Sequence, residues 1–217
     1  MTVRHAESMG VYASTWQSRG YCGQGPVEAL IGSLEGRSAL VCGNGVGVFE
    51  ECEHARSMLI DPVVFAVNDC GMYLPRVDHW VSLHVDKLQA WRSVRWLESR
   101  PGEHLKCHSD TARPWLDYCW QQLTSQFCLS GYYAMQLAWI MGCDRIVLCG
   151  CPGDSTRRWF DREPRDDFGY GNGQAGSDHG VREQLDHEME RLPEFKAAVR
   201  SCSGWTKSYF GSIDDWR

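Results

Sequence analysis

Residues 38–44 read SALVCGN and run on as GVGVFEECEHA to residue 55. Ala39, Leu40, Val41 and Cys42 form an apolar run too short for a helix. Gly43, Asn44, Gly45 and Gly47 interrupt it before an amphipathic segment begins. The pattern predicts a buried strand, a tight glycine turn and a helix start. Glycines let a ligand approach the backbone, and a helix N-terminus carries about half a positive charge, which suits a phosphate. The same pattern also serves as a plain strand-to-helix corner of an α/β domain, and GxGxG is not the full GxGxxG dinucleotide fingerprint.

Working outward, Val63–Val67 is a continuous β-branched and aromatic run, the signature of a strand buried on both faces, and it stops at Asn68 and Asp69. His79–Leu83 predicts a third strand, ending before His84 and Asp86, and Arg145–Cys149 another, ending at Gly150. Helices are expected at Val48–Met58 and Leu88–Leu97. Another is expected from Ser130, where Tyr133, Leu137, Ile140 and Met141 fall at helical spacing before Gly142, with Ser130 as its N-cap. A further helix begins at Val181, with Leu185, Met189 and Leu192 on one face. Pro193 restarts it, and Phe195, Ala198 and Val199 continue the stripe. Residues 100–126 admit a short strand at His104–His108 and a helical turn at Trp115–Leu123.

Alternating strands and helices predict a single Rossmann-like α/β domain over residues 1–217, its mostly parallel sheet flanked by helices. Residues 1–36 read as an extension, 152–180 as a long lid-like loop, and 181–217 as a helix followed by an aromatic tail. In an open parallel sheet the ligand crevice lies outside the carboxyl ends of the strands. Asn44, Asn68, Asp69, His84, Asp86 and Gly150 would all gather there. Each alone is an ordinary turn former.

At 217 residues the chain can bury a full core. No apolar run approaches the roughly 20 residues needed to cross a bilayer, and MTVRHAESMGVYAS has no apolar signal core, so a cytoplasmic protein without a membrane span is expected. The 11 cysteines are scattered through apolar segments, which favours buried reduced thiols over disulfides. The pair Cys149 and Cys151 lacks the companions of a zinc site. A net charge of −6 argues against an extended nucleic-acid surface. Residues 155–167, STRRWFDREPRDD, set Arg157 and Arg158 beside Trp159 and Phe160. They read either as an arginine–aromatic clamp for an anion or as a solvated loop of self-compensating ion pairs.

Three stretches together resemble a known family: GNGVGV at 43–48, VNDCG at 67–71 and LSGYYAMQLAWIMGCDRIVLCG at 129–150. They are similar to segments of bacterial sialyltransferases with a CMP-sugar donor, and of the related archaeal pterin pyrophosphokinase-like proteins. The match covers about a third of the chain. The tail RSCSGWTKSYFG at 200–211 resembles bacteriophage proteins, which implies a host cytoplasm. The resemblance implies that Gly43, Asn44 and Gly45 face a donor phosphate, Asn68 the donor nucleotide, and Ser130 and Gly131 its phosphate and ribose. A late-loop histidine is the base in the sialyltransferases, which implies His179 here. Val46-Gly47 in place of Pro-Ser, Asp69 after Asn68, and Cys151-Pro152 in place of Ile-Asp depart from the family pattern.

The expected activity is that of a glycosyltransferase, moving a sugar from a nucleotide donor to a hydroxyl of a glycan or a modified DNA base. An imidazole near its ordinary pKa suits the role of base, and Asp154 or Asp86 would orient it. Arg157, Arg158 and Tyr170 would stabilise the leaving phosphate, with no cofactor or metal required and magnesium an open option. The alternatives are a magnesium-dependent pyrophosphotransferase or kinase-like enzyme acting on a small heterocycle, and a non-catalytic nucleotide-binding module. Oligomeric state stays open.

Overall fold

The computed structural model describes residues 27–98, 105–120, 129–153 and 175–216, apart from the side chains of 175–181 and of Gln184. Seven strands form one parallel sheet: β1 Ser38–Cys42, β2 Val63–Val67, β3 His79–Val81, β4 Lys106–Ser109, β5 Tyr118–Cys119, β6 Arg145–Cys149 and β7 Val199–Ser201, in the order β5-β4-β3-β2-β1-β6-β7. Leu40 of β1 stands between Val64 of β2 and Val147 of β6. The apolar runs are continuous because both faces are covered, as a parallel sheet requires.

Side chains alternate across the sheet. Ala39, Val41, Phe65, Ile146 and Leu148 pack under α3 (Ser130–Ile140), α4 (Ala175–Arg191), α5 (Pro193–Ala198) and the turn Val27–Leu30. Leu40, Cys42, Val64, Val147 and Cys149 pack under α1 (Val48–Met58), α2 (Val85–Leu97) and Ile213. The α3 helix is apolar all round because it is enclosed: Tyr132 and Trp139 meet Phe195 of α5 from the side away from the sheet. The aromatic tail packs back, with Phe210 buried and Trp205 stacked on Tyr209. No helix among the described residues is long and apolar enough to cross a membrane. All nine cysteines among them are free, seven of them buried.

Several boundaries differ from the sequence reading. β3 ends at Val81, because Ser82 already turns to bond the neighbouring exit, and α2 starts at Val85. Residues 106–109 become a strand paired with β3, and 118–119, expected as part of a helical turn, become the edge strand paired with β4; in both, backbone pairing overrides the local sequence pattern. Val199 leaves the helical stripe and opens β7, pairing with Ile146. α4 begins at Ala175, and residues 154–174 of the expected lid lie outside the described residues.

Under α3 the β3–β4 edge is joined by a buried imidazole pair. The Trp120 indole N–H donates to His108 Nδ1 at 3.1 Å, which leaves the His108 proton on Nε2 to donate to His79 Nδ1 at 2.9 Å. Phe65 stacks on His79 and Tyr118 on His108. Burial pushes His79 down to about 4, aided by Lys106 and opposed by Asp78, and burial followed by the His79 charge drives His108 down as well. Both rings are therefore neutral in the fold, whereas the unfolded chain takes up protons below about pH 6.5. Stability is held above that pH and lost as pH falls toward 4. His79 alone should remove about 2 kcal/mol between pH 7 and pH 5, read as a fall in the urea midpoint.

Candidate functional site

Sheet order reverses between β1 and β6: the strands from β2 to β5 lie to one side and β7 to the other. Such a switch point opens a crevice at the carboxyl ends of the strands. Here the two exits lock together. Gly43 N–H donates to Cys149 O at 2.8 Å and Gly45 N–H to Gly150 O at 2.7 Å. A Cβ on Gly43 would lie 2.5 Å from Gly150 O, and one on Gly45 2.8 Å from that same oxygen. Gly150 itself has φ +61° and faces Val48 and Gly43 O. These glycines are needed for the contact between the two turns.

The N-terminus of α1 is also engaged. Glu50 and Glu51 sit in its first turn, and Glu51 Oε2 accepts the Gly150 N–H at 2.6 Å. Burial pushes the Glu51 carboxyl up against the pull of its bonds from Gly150 and Ser203. A carboxylate thus lies where the sequence pattern suggested a phosphate, and a second anion there would be repelled.

The exits of β1, β2 and β3 form a polar run. Asn44 Nδ2 donates to Asp69 Oδ1, and Asn44 Oδ1 is buried with no hydrogen-bond partner among the described residues. Asn68 adopts φ +53°, a conformation Asn tolerates, and accepts the Ser82 hydroxyl on Oδ1 at 2.8 Å. Its carbonyl takes the Trp80 indole N–H. Ser82 Oγ in turn accepts His84 N–H at 2.9 Å, and Leu83 N–H donates to Ser130 Oγ at 3.2 Å. Ser130 is therefore not the N-cap. It is the first residue of α3, and its hydroxyl ties that helix to the β3 exit.

The first turn of α3 has no acidic residue, and a Cβ added to Gly131 would meet nothing within 4 Å. Of the helix starts at these exits, α1 carries Glu50 and Glu51 and α2 carries Asp86 in the first turn, whereas α3 has no carboxylate there. The structure brings Asn44, Asn68, Asp69 and Ser130 together. Gly43, Gly45 and Gly150 serve the interlock beside them. His84 is exposed, contributing its backbone N–H to Ser82, and Asp86 pairs with Arg113 at 3.0 Å.

Asp154, Arg157, Arg158 and Tyr170 lie outside the described residues. His179 falls within the α4 helix, not in a loop, and its side chain lies outside the description. Ser82 and Glu51 were missed. Ser82 reads as a strand interior residue within HWVSL, and Glu51 as one more solvated helix carboxylate. The family-like departure at Cys151-Pro152 could have flagged this exit, since Pro152 Cδ would lie 2.7 Å from a Cβ on Gly45. No group of three or more metal-ligating side chains suited to a metal ion occurs among the described residues. A cleft of about 330 Å³ between Met58, Arg145 and Trp216 opens at the start of β6, away from the strand exits, and contains none of these groups.

The two glycine classes should separate on substitution. Gly150→Ala should cost at least about 2 kcal/mol through its left-handed backbone and the clash with Val48, whereas Gly131→Ala should leave stability equal or raised by up to about 1 kcal/mol, both measured by urea denaturation. Comparison with known proteins finds no matching protein-family model and no matching curated protein.

Proposed function

We propose that the chain is a nucleotide-sugar-dependent glycosyltransferase, with the donor nucleotide over the exits of β1–β3 and its phosphate at the first turn of α3. The observation that carries this reading is the hydrogen-bonded run Asn44–Asp69, Asn68–Ser82 and Leu83–Ser130, set beside a helix start with no acidic residue. A core needs strands; it has no need of a polar group at each exit. Asn44 Oδ1 and the Asp69 carboxylate offer acceptors for base or ribose hydrogens, and the α3 N-terminus offers its dipole to a leaving phosphate.

In the proposed reaction an acceptor hydroxyl oxygen attacks the anomeric carbon of the donor. The carbon–oxygen bond to phosphate breaks, its electron pair leaves with the nucleotide, and the hydroxyl proton passes to a base, for which His179 is the candidate. Arg157, Arg158 and Tyr170 are the candidates for charge on the leaving group, and Asp154 for orienting the base.

Gly131→Asp is the decisive variant, because a Cβ there meets nothing within 4 Å among the described residues and a carboxylate in the first turn favours the helix. Wild-type protein should show a rise in Tm with one of CMP, UDP, GDP or ADP or their sugars, worth about 2.7 kcal/mol at 100 times Kd. Gly131→Asp should keep its unliganded Tm and lose at least about tenfold in that affinity. Absence of any nucleotide shift, with or without magnesium, overturns the reading, as does unchanged affinity in Gly131→Asp. A shift seen only with ATP or GTP and magnesium would assign pyrophosphoryl transfer in its place.

A further inference from the structure

Cys42 ends β1 and Cys149 ends β6, and the register sets them side by side. Ser201 of β7 pairs with Leu148, and Cys202 N–H donates to Leu148 O at 3.1 Å, so Cys202 continues the row next to Cys149. All three pack on the face covered by α1, where Cys52 of that helix reaches down until its sulfur is 3.4 Å from that of Cys42. Strand pairing and helix packing thus converge four thiols. Burial of small apolar side chains accounts for their presence in a core, but not for two sulfurs in direct contact from different elements.

We propose that Cys42 and Cys52 form an oxidisable dithiol, converted by a small hydroperoxide into a disulfide that clamps α1 to the end of β1 beside the Gly43–Asn44–Gly45 turn. The thiols of Cys149 and Cys42 donate to the Cys52 sulfur and hold it well below the usual thiol range, with Arg56 adding to this. Cys149 is pushed up by its contacts with Cys202, Cys42 and Cys52 and by burial. Cys42 also rises, against the Cys149 contact, through Cys52 and burial. Cys52 is therefore the thiolate and the nucleophile of the group.

The Cys52 thiolate attacks one peroxide oxygen and the O–O bond breaks. An alcohol or water molecule leaves with a proton, and Cys52 becomes a sulfenic acid. The Cys42 sulfur then attacks the Cys52 sulfur, the S–O bond breaks, and water leaves. Two thiols and one hydroperoxide give one disulfide, one alcohol (or water) and one water: the sulfurs lose two electrons and the peroxide gains them. Cys42 is fully buried and Cys52 is 2% exposed, so the oxidant must be of nearly water size.

The test is a time course of the full chain with hydrogen peroxide, followed by unfolding, alkylation and peptide mass spectrometry. A Cys42–Cys52 cross-linked peptide should form at least about tenfold faster than Cys107 and Cys143 are lost, since these are buried thiols pushed up to about 12. In Cys42→Ser, Cys52 should proceed to sulfinic acid. In Cys52→Ser, Cys42 should remain reduced. Oxidation of Cys42 and Cys52 no faster than Cys107 and Cys143 overturns the proposal, as does cross-linking of Cys52 to Cys149 or Cys202 in wild-type protein. Stoichiometric metal that the purified protein holds and Cys52→Ser loses would overturn it too, assigning the four thiols to that ion. The wild-type time course decides the matter even if a variant fails to fold.

Discussion

Everything at the carboxyl end of this sheet depends on the direct contact of two turns. β1 and β6 leave the sheet side by side, and their following residues hydrogen-bond backbone to backbone without a side chain between them. That approach demands glycine at 43, 45 and 150. It also places Gly47, with φ +87°, where α1 must start. Glu51, one turn into that helix, returns to hold Gly150 N–H, so helix, turn and neighbouring strand close on one another. The closure uses the end of α1 that a doubly wound fold ordinarily offers to an anion. What remains open lies one helix over.

That neighbouring start is positioned from the opposite face of the sheet. α3 is sandwiched between the sheet and α5, and its entry is pinned by one hydroxyl, Ser130 Oγ, to the backbone leaving β3. Ser82 performs the matching task on the strand side, tying Asn68 to the start of α2. Buried hydroxyls at such joints rigidify because each has a defined partner. The crevice is thus framed by groups whose own geometry is held by the fold.

The parts of the fold visible in the amino-acid sequence are those whose local pattern and tertiary role agree. VVFAV and the IVLC of β6 are apolar throughout because both faces are covered, and both strands stand where the pattern puts them. Lys106–Ser109 and Tyr118–Cys119 carry no such pattern; they are strands because a neighbouring edge supplies hydrogen bonds. Asn44, Asn68 and Asp69 could be picked out because polar residues end apolar runs. Ser82 could not, since its role rests on a partner fourteen positions away in the chain. The glycines of the first turn were visible, but their purpose was not: a close approach by a ligand and a close approach by another turn ask for the same residue.

The Trp120–His108–His79 chain has a further consequence for how the molecule comes apart. Its hydrogen bonds run in one sense, each ring accepting on Nδ1, so a proton added to either Nδ1 removes a bond from the chain. The chain joins β3 to β4 and to the residue after β5, the two outermost strands on that side, of which β5 spans only Tyr118–Cys119. Acid therefore acts on one border of the sheet first. The β4–β5 border should then open ahead of the β1–β6 centre, and slow amide exchange should survive longest in the two strands that meet at the switch point.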